Sequence, residues 1–555
     1  MIFLFLRKIN QMKKFLALAI FGFLLSCGSQ KVPADLLIKN GTVYTVNENF
    51  DIAEAVIVNE GKIVAVGPLD DLEAAFAPSE TYDAMGKTVL PGLIDAHAHL
   101  FGLGLKVQNV DLVDTKSFDE VIDRIVAFQK ENKRDYISGR GWDQNDWDVK
   151  EFPTNEILDS LFPDIPVALQ RIDGHASVVN SLMLDYAKIT ADSKMPGGEV
   201  IVKDGKPTGV LIDKARDNIW GAFPKIGYDY YLRALLDAQE LCLEQGLTTV
   251  NEAGLSPKII EAIDSLQQAG SMKIRMYVMV TNLPGNLNYY LDHKGIVKTD
   301  RLNVRSIKVY GDGALGSRGA AMREEYSDQP EQFGAMITAQ TQLNLLAKRI
   351  AAAGFQMNTH AIGDSANVSV IRAYKEALKD KQDARWKIEH AQVISPEDFD
   401  AFSNNIIPSV QPTHATSDMY WAEDRIGSER IKGAYAYKTL LNKAGIIVLG
   451  TDFPVEKVSP MHTFYSAVAR KDLQNYPEGG YRKEEGLSRE ETLKGMTIWA
   501  AYSNFEENEK GSIEVGKFGD FTILEQDIMK IPEDAIPNVQ VAATIINGEI
   551  VYIKE

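Results

Sequence analysis

Leu90-Pro91-Gly92-Leu93-Ile94-Asp95-Ala96-His97-Ala98-His99 joins an apolar run to a pair of histidines. A short, nearly continuous apolar run suits a strand buried on both faces, as in a parallel sheet. Residues i and i+2 of an extended chain point to one side, so the imidazoles of His97 and His99 can face one space and hold one ion. With 89–95 as the first strand, further strands are expected at 248–252, 274–280, 304–310, 355–359, 386–389, 407–410 and 446–449. Helical stretches such as 342–353 and 366–378 lie between them. Strands alternating with helices argue for βα units and a parallel sheet. Eight strands is the count of a (β/α)8 TIM barrel, whose chemistry lies at the C-terminal strand ends.

One interval is too long for that pattern. The first two strands are separated by about 150 residues, where a helix and its loops need about 30. The surplus, 105–230, is read as an inserted subdomain, which leaves 89–104 and 231–510 for the barrel. The insert carries Gly139-Arg140-Gly141-Trp142-Asp143 and a hairpin, 198–202 and 209–212 around Asp204-Gly205. Outside the barrel, 36–38, 42–46, 55–58 and 62–66 are short strands separated by Asn40-Gly41 and Asn59-Glu60-Gly61, which reads as antiparallel hairpins. The far end, with 520–524, 541–546 and 550–553, repeats the style. Segments 31–88 and 511–555 therefore suggest one small β domain built from both ends.

The first residues form an address label. Met12-Lys13-Lys14, an apolar run over 15–25 and Ser26-Cys27-Gly28 have the layout of a secretory signal, with too few apolar residues for a membrane span. Leu24-Leu25-Ser26-Cys27-Gly28 is similar to a bacterial lipobox, in which cleavage leaves Cys27 to carry lipid. The expectation is a signal over 1–27 and a lipoprotein of the cell envelope, tied to the membrane through its lipid anchor alone. Residues 1–11 sit awkwardly before this signal, and Met12 is an alternative start. In the 555-residue chain, 59 basic against 77 acidic residues give a net charge of −18, which repels phosphate backbones and excludes nucleic acid as an expected partner. Cys242, in an apolar helical stretch, is expected to be a buried core thiol.

The chemistry gathers at strand ends. His360 follows 355–359, His390 follows 386–389, and Asp452 follows 447–451, so four of the eight histidines fall at strand ends. Together with Asp452 they point to a metal centre. Lys308, on 304–310, would be repelled by a cation as an ammonium. As a neutral amine that has captured CO2 it becomes an anionic carbamate able to bridge two cations, and burial favours the neutral amine. Taken alone, an ion-paired or solvent-facing lysine is the simpler reading. Gly311-Asp312-Gly313-Ala314-Leu315-Gly316 matches a dinucleotide fingerprint formally, but no clear helix follows it.

The chain resembles the amidohydrolase superfamily, and more narrowly its large N-substituted formamide deformylase-like branch. The resemblance rests on 90–99, 139–143, Lys308-Val309-Tyr310-Gly311-Asp312-Gly313-Ala314-Leu315-Gly316-Ser317-Arg318, His360-Ala361-Ile362-Gly363-Asp364, Ile388-Glu389-His390-Ala391-Gln392, Ser409-Val410-Gln411-Pro412, Gly450-Thr451-Asp452-Phe453-Pro454-Val455 and 511–517. It implies a metal-bearing barrel flanked by a β-sandwich made from both termini. It also implies hydrolysis of a non-peptide carbon–nitrogen bond in a small-molecule amide. His97, His99 and Asp452 would serve one cation, His360 and His390 a second, with carboxylated Lys308 as the bridge. Zinc suits this set, although manganese, iron or cobalt would be accepted. Asp452 is also the expected proton shuttle, taking a proton from the attacking water and giving it to the leaving amine. Trp142, His175, Arg318, Gln411 and His414 are candidates for substrate contact, with structural roles as the competing explanation. Two other activities stay open: a mononuclear deaminase of the same superfamily, and a non-catalytic, surface-tethered binding protein. A homodimer is compatible with this picture.

Overall fold

In the computed structural model, which describes residues 31–195, 197–222 and 227–555, eight parallel strands surround a common axis. They are β1 (Leu93–Ala98), β2 (Leu247–Leu255), β3 (Arg275–Thr281), β4 (Leu302–Tyr310), β5 (Gln356–Ala361), β6 (Trp386–His390), β7 (Ile406–Val410) and β8 (Val448–Leu449). Each pairs with the next in sequence order from β1 to β8. The barrel nearly closes. Beyond the paired residues, Asp452 N–H donates to His97 O at 2.7 Å and His99 N–H to Phe453 O at 2.8 Å, which stitches the ends of β1 and β8 together.

Two kinds of residue alternate along the strands. Apolar residues such as Trp386 and Ile388 pack with the buried faces of outer helices, for example Asp364–Leu378 and Pro257–Gln268, in one continuous core. Cys242 is buried in that core on the helix Tyr228–Glu244. The barrel interior is polar. Lys387 Nζ donates to Asn504 Oδ1 at 2.7 Å, Asn504 Nδ2 to Asn251 Oδ1 at 2.8 Å, and Tyr277 OH to Gln356 Oε1 at 2.6 Å. Such groups can be buried because they are hydrogen-bonded to one another.

The expected first strand, 89–95, is two strands. Thr88–Pro91 pairs with Phe521–Leu524 and Thr42–Tyr44, and β1 begins only at Leu93. Gly92 is the crossing point. Its N–H donates to Asp520 O at 2.9 Å, and a Cβ there would fall 2.2 Å from Thr248 Oγ1, so no side chain fits. The hairpin expected around Asn40-Gly41 is also absent. Val32–Lys39 pairs with Ala55–Asn59 and Phe76–Asp83, while Thr42–Tyr44 enters another sheet. The reason is apolar burial: Leu36 and Ile38 meet Val43 and Val89 in one core between two sheets, which two strands of one hairpin could not do. The turn at Glu60-Gly61 does join a hairpin, Ala55–Asn59 with Lys62–Gly67.

Strands from both ends of the chain form a six-stranded sheet in the order Glu549–Ile553, Val541–Ile546, Phe521–Leu524, Thr88–Pro91, Thr42–Tyr44 and Ile52–Ala53. Between β1 and β2, a six-stranded sheet with Val110–Asp111 at one edge and Gly198–Lys203 at the other packs on its own apolar clusters. Its hairpin, Gly198–Lys203 with Lys206–Asp213, turns at Asp204 and Gly205, both at positive φ. No described helix is long and apolar enough to cross a membrane. The signal segment and Cys27 lie outside the described residues.

Candidate metal centre

β1 delivers His97, with His99 just past its end, β4 Lys308, β5 His360 and β6 His390, all at the C-terminal end of the barrel. Asp452 follows β8. Its Oδ1 lies 3.3 Å from His99 Nε2 and 3.7 Å from His97 Nε2, and it has no hydrogen-bond partner although it is buried. Bonds of about 2.1 Å in a tetrahedral site hold ligand atoms about 3.4 Å apart. The spacing and the orphaned oxygen therefore fit a divalent cation among these three side chains. His390, His414 and Asp452 form a second group in which donor atoms lie within 4.8 Å of one another.

Neighbouring groups fix the imidazoles. Glu389 Oε2 lies 2.5 Å from His97 Nδ1, and Gln411 Oε1 lies 2.7 Å from His390 Nδ1. A ring that donates its Nδ1–H leaves Nε2 as a free lone pair, the arrangement typical behind metal-bound histidines. His97 Nε2 also lies 3.1 Å from Lys308 Nζ. Asp95 braces the floor of the site. Its carboxylate accepts from Thr451 Oγ1 at 2.7 Å and from the His97 and Thr451 backbone N–H groups. Burial pushes Asp95 up to about 7.

The electrostatics suit a cation. Burial lowers the pKa of His97 and His390 and takes His360 down to about 3, so all three rings are neutral at pH 7. Burial also pushes Lys308 below the usual lysine range, towards the amine that could take up CO2. Asp452 is the opposite case. Burial pushes its carboxyl up, but the imidazoles that face it, His99 first and then His97, His390 and His414, outweigh burial and hold it well below the usual carboxylate range. Glu252, in the C-terminal half of β2, is pushed up to about 7 by burial and accepts from Phe101 N–H at 3.2 Å.

The remaining candidates are placed differently. His360 sits with its ring 4.5 Å from that of His390, while its Nε2 faces Gly313 O at 3.4 Å and Asp312 Oδ1 at 3.7 Å. Trp142 does not face a substrate space. It is fully buried in the insert, and its indole N–H donates to Leu169 O at 2.8 Å. Arg318 is clamped on Asp328 by two bonds of 2.9 and 2.8 Å, which leaves its guanidinium occupied. Gln411 supports His390 through its carbonyl oxygen, while its buried Nε2 has no hydrogen-bond partner among the described residues. His175 is exposed on the insert, with Nδ1 2.7 Å from Asp213 Oδ1. His414, on the short helix Pro412–Asp418, lies with Nε2 3.9 Å from Asp452 Oδ2.

Glu389 and Asp95 are functional residues that sequence reasoning did not single out. The signal lay in the alternation. Lys387 and Glu389 alternate with apolar Trp386 and Ile388, and Asp95 falls at period 2 with His97 and His99. After β4, residues 311–316 form turns and an isolated bridge with no helix, so the glycine-rich run there is not a dinucleotide fingerprint.

The sequence profile of the amidohydrolase family matches residues 80–552. The chain is 33% identical to the amidohydrolase YtcJ of Bacillus subtilis (strain 168) over 533 residues, covering 93% of this chain and 98% of that protein. It is 25% identical to the N-substituted formamide deformylase of Arthrobacter pascens over 543 residues, covering 93% and 98% respectively. Among solved structures, an uncharacterized metal-dependent hydrolase from Pyrococcus furiosus superposes with a TM-score of 0.73 at 27% identity, covering 89% of this chain and all of that one.

Proposed function

This chain belongs to the amidohydrolase family, and from that premise we propose that it hydrolyses a carbon–nitrogen bond other than a peptide bond, in a small N-formyl or N-acyl amine. The observation that carries the reading is the convergence on Asp452, whose buried Oδ1 has no hydrogen-bond partner and lies 3.3 Å from His99 Nε2. The similarity to a formamide deformylase along nearly the whole chain supports the bond type.

His97, His99 and Asp452 would hold one divalent cation, and His360 and His390 a second, with zinc as the metal that suits the donors. Lys308 would bridge them after its amine adds CO2, releasing one proton and becoming a carbamate. A cation held there acidifies water and polarises a carbonyl. The chain's own residues do the rest. Asp452 stays ionised and accepts the proton of the attacking water as the new C–O bond forms. It then gives that proton to the nitrogen as the C–N bond breaks. Glu389 and Gln411 keep the Nε2 atoms of His97 and His390 aimed inward throughout.

A deaminase would want an acid soon after His360. Asp364 is the residue available, but its Oδ1 accepts from Arg323 N–H at 2.9 Å and its Oδ2 lies 3.3 Å from Ser395 Oγ, so it serves the adjoining loops. Metal content per chain, measured together with hydrolysis of N-formyl, N-acyl and amino-heterocycle substrates, tests the reading. Two cations and release of carboxylate from the amides are expected. A metal-loaded protein that cleaves none of them, or that releases only ammonia from heterocycles, overturns it. The Leu24–Gly28 motif further supports export and lipid attachment at Cys27. Mass and membrane fractionation left unchanged by Cys27→Ser would remove that part.

A further inference from the structure

His414 has no assigned role in the reading above, yet its surroundings are unusual. Its Nε2 is buried without a hydrogen-bond partner among the described residues. The nearest acidic atom, Asp452 Oδ2, is 3.9 Å away, too far for a hydrogen bond. Its ring stacks on that of His390, with centroids 6.0 Å apart and planes 19° from parallel. His390 in turn has its Nδ1 engaged by Gln411, which leaves its Nε2 uncommitted.

A cation explains this arrangement better than a hydrogen bond. With bonds of about 2.1 Å, a cation spans donor atoms from about 3.4 Å apart in a tetrahedron to about 4.2 Å when collinear. The 3.9 Å gap falls inside that window, as does the 3.7 Å gap between His97 Nε2 and Asp452 Oδ1. The two oxygens of Asp452 therefore face different imidazoles, Oδ1 those of His97 and His99 and Oδ2 that of His414, which groups with His390. We propose that His414 is a protein ligand of a second divalent cation, held with His390 and Asp452 Oδ2, so that the Asp452 carboxylate itself links the two cation sites. The inference rests on the metal-dependent reading of this centre and adds to its donors a residue from the helix after β7.

The test reads metal and leaves activity aside. The full chain is stripped with chelator, titrated with Zn2+ and Co2+, and assayed by metal analysis after dialysis and by the visible spectrum of bound Co2+. Wild type should take up two cations. His414→Ala and the milder His414→Gln should keep one and weaken the other by at least about 100-fold, beyond the 10- to 100-fold loss usual for a residue behind the ligands. Their Co2+ spectrum should lose one component. A wild type that binds one cation only, or folded His414 variants with both affinities and the Co2+ spectrum unchanged, would overturn the proposal. Turnover of the amide panel by wild type is scored separately, so a failure of the proposed reaction is not mistaken for a failure of the ligand assignment.

Discussion

Asp452 and His390 both hold left-handed backbone conformations, with φ of +61° and +73°. Such angles are uncommon outside glycine and cost on the order of 1–3 kcal/mol each. Here they turn two side chains into the barrel mouth just where their strands end. If Asp452 carries the proton, Asp452→Asn keeps its shape and one oxygen but removes the base. Steady-state kinetics should then show kcat lower by about 10²- to 10⁴-fold with metal content largely kept. A near-normal kcat would remove Asp452 as the shuttle, and outright loss of metal would make ligation its main role. His97 and His99 were legible from sequence because period 2 is a local property. The Glu389–His97 bond was not, because it joins residues 292 apart and exists only once the barrel is built. Lys387, two residues before Glu389, carries a pH prediction. Burial lowers its pKa from 10.5 to about 8, so between those values the unfolded chain binds a proton that the folded chain does not. Stability should therefore rise with pH across that window, and the cost of burying the charge should be largest below about pH 8. Lys387→Met removes this term. Wild type should gain stability relative to the variant as pH goes from 8 to 10, and a difference that does not change with pH would count against the assignment.

At the scale of elements, the strand ends were readable and the junctions between sheets were not. Seven of the eight expected strands coincide with barrel strands to within about three residues at either end, because apolar runs punctuated by polar ends survive tertiary context. The first, 89–95, was read as continuous, since nothing in its hydropathy reveals that Pro91 belongs to one sheet and Leu93 to another. The hairpin mistaken at Asn40-Gly41 has the same origin: a turn signal says that the chain reverses, not which sheet it rejoins. β8 is short, and the residues after it depend on Gly450. A Cβ there would lie 2.4 Å from His97 N, 2.8 Å from Asp95 Oδ1 and 2.9 Å from His97 O, so the glycine allows the β8 end to press against the β1 end and sets Asp452 beside His97. Gly450→Ala must push these backbones apart. Overpacking of this kind costs about 1–3 kcal/mol, and the separation should also weaken cation binding. Both are measurable, by urea denaturation and by metal titration. Unchanged metal affinity in a destabilised variant would mean that the β1–β8 contact supports the fold without setting the site.

Over the whole molecule, the catalytic barrel and the sheet built from both chain ends are tied by a buried ion pair. Arg275, at the start of β3, donates from Nε to Asp520 Oδ2 at 2.6 Å and from Nη2 to Asp520 Oδ1 at 2.9 Å. Both side chains are almost fully buried. Asp520 also accepts from Asn547 N–H at 3.0 Å, and the Arg275 guanidinium lies 3.7 Å over the Phe518 ring. That the two ends of the sequence share a style of short strands was readable. The partner that locks them to the barrel was not, because it is a single arginine 245 residues from its aspartate. Removing one member of a buried pair leaves the other charge without compensation, which typically costs 3–5 kcal/mol, far more than an exposed pair contributes. Asp520→Asn keeps the volume and one acceptor oxygen but withdraws the negative charge facing Arg275. We therefore expect a large fall in the denaturation midpoint, with the end sheet and the barrel no longer melting together. Tryptophan fluorescence will report mainly on the barrel and insert, because all six tryptophans lie between residues 142 and 499. Hydrogen exchange at Val541–Ile546 will report on the end sheet. Loss of protection in that strand before the fluorescence transition is the expected result. If instead both signals move together and by no more than about 0.5 kcal/mol, the ordinary size of a surface substitution, then apolar packing alone couples the two units and the ion pair only sets their register.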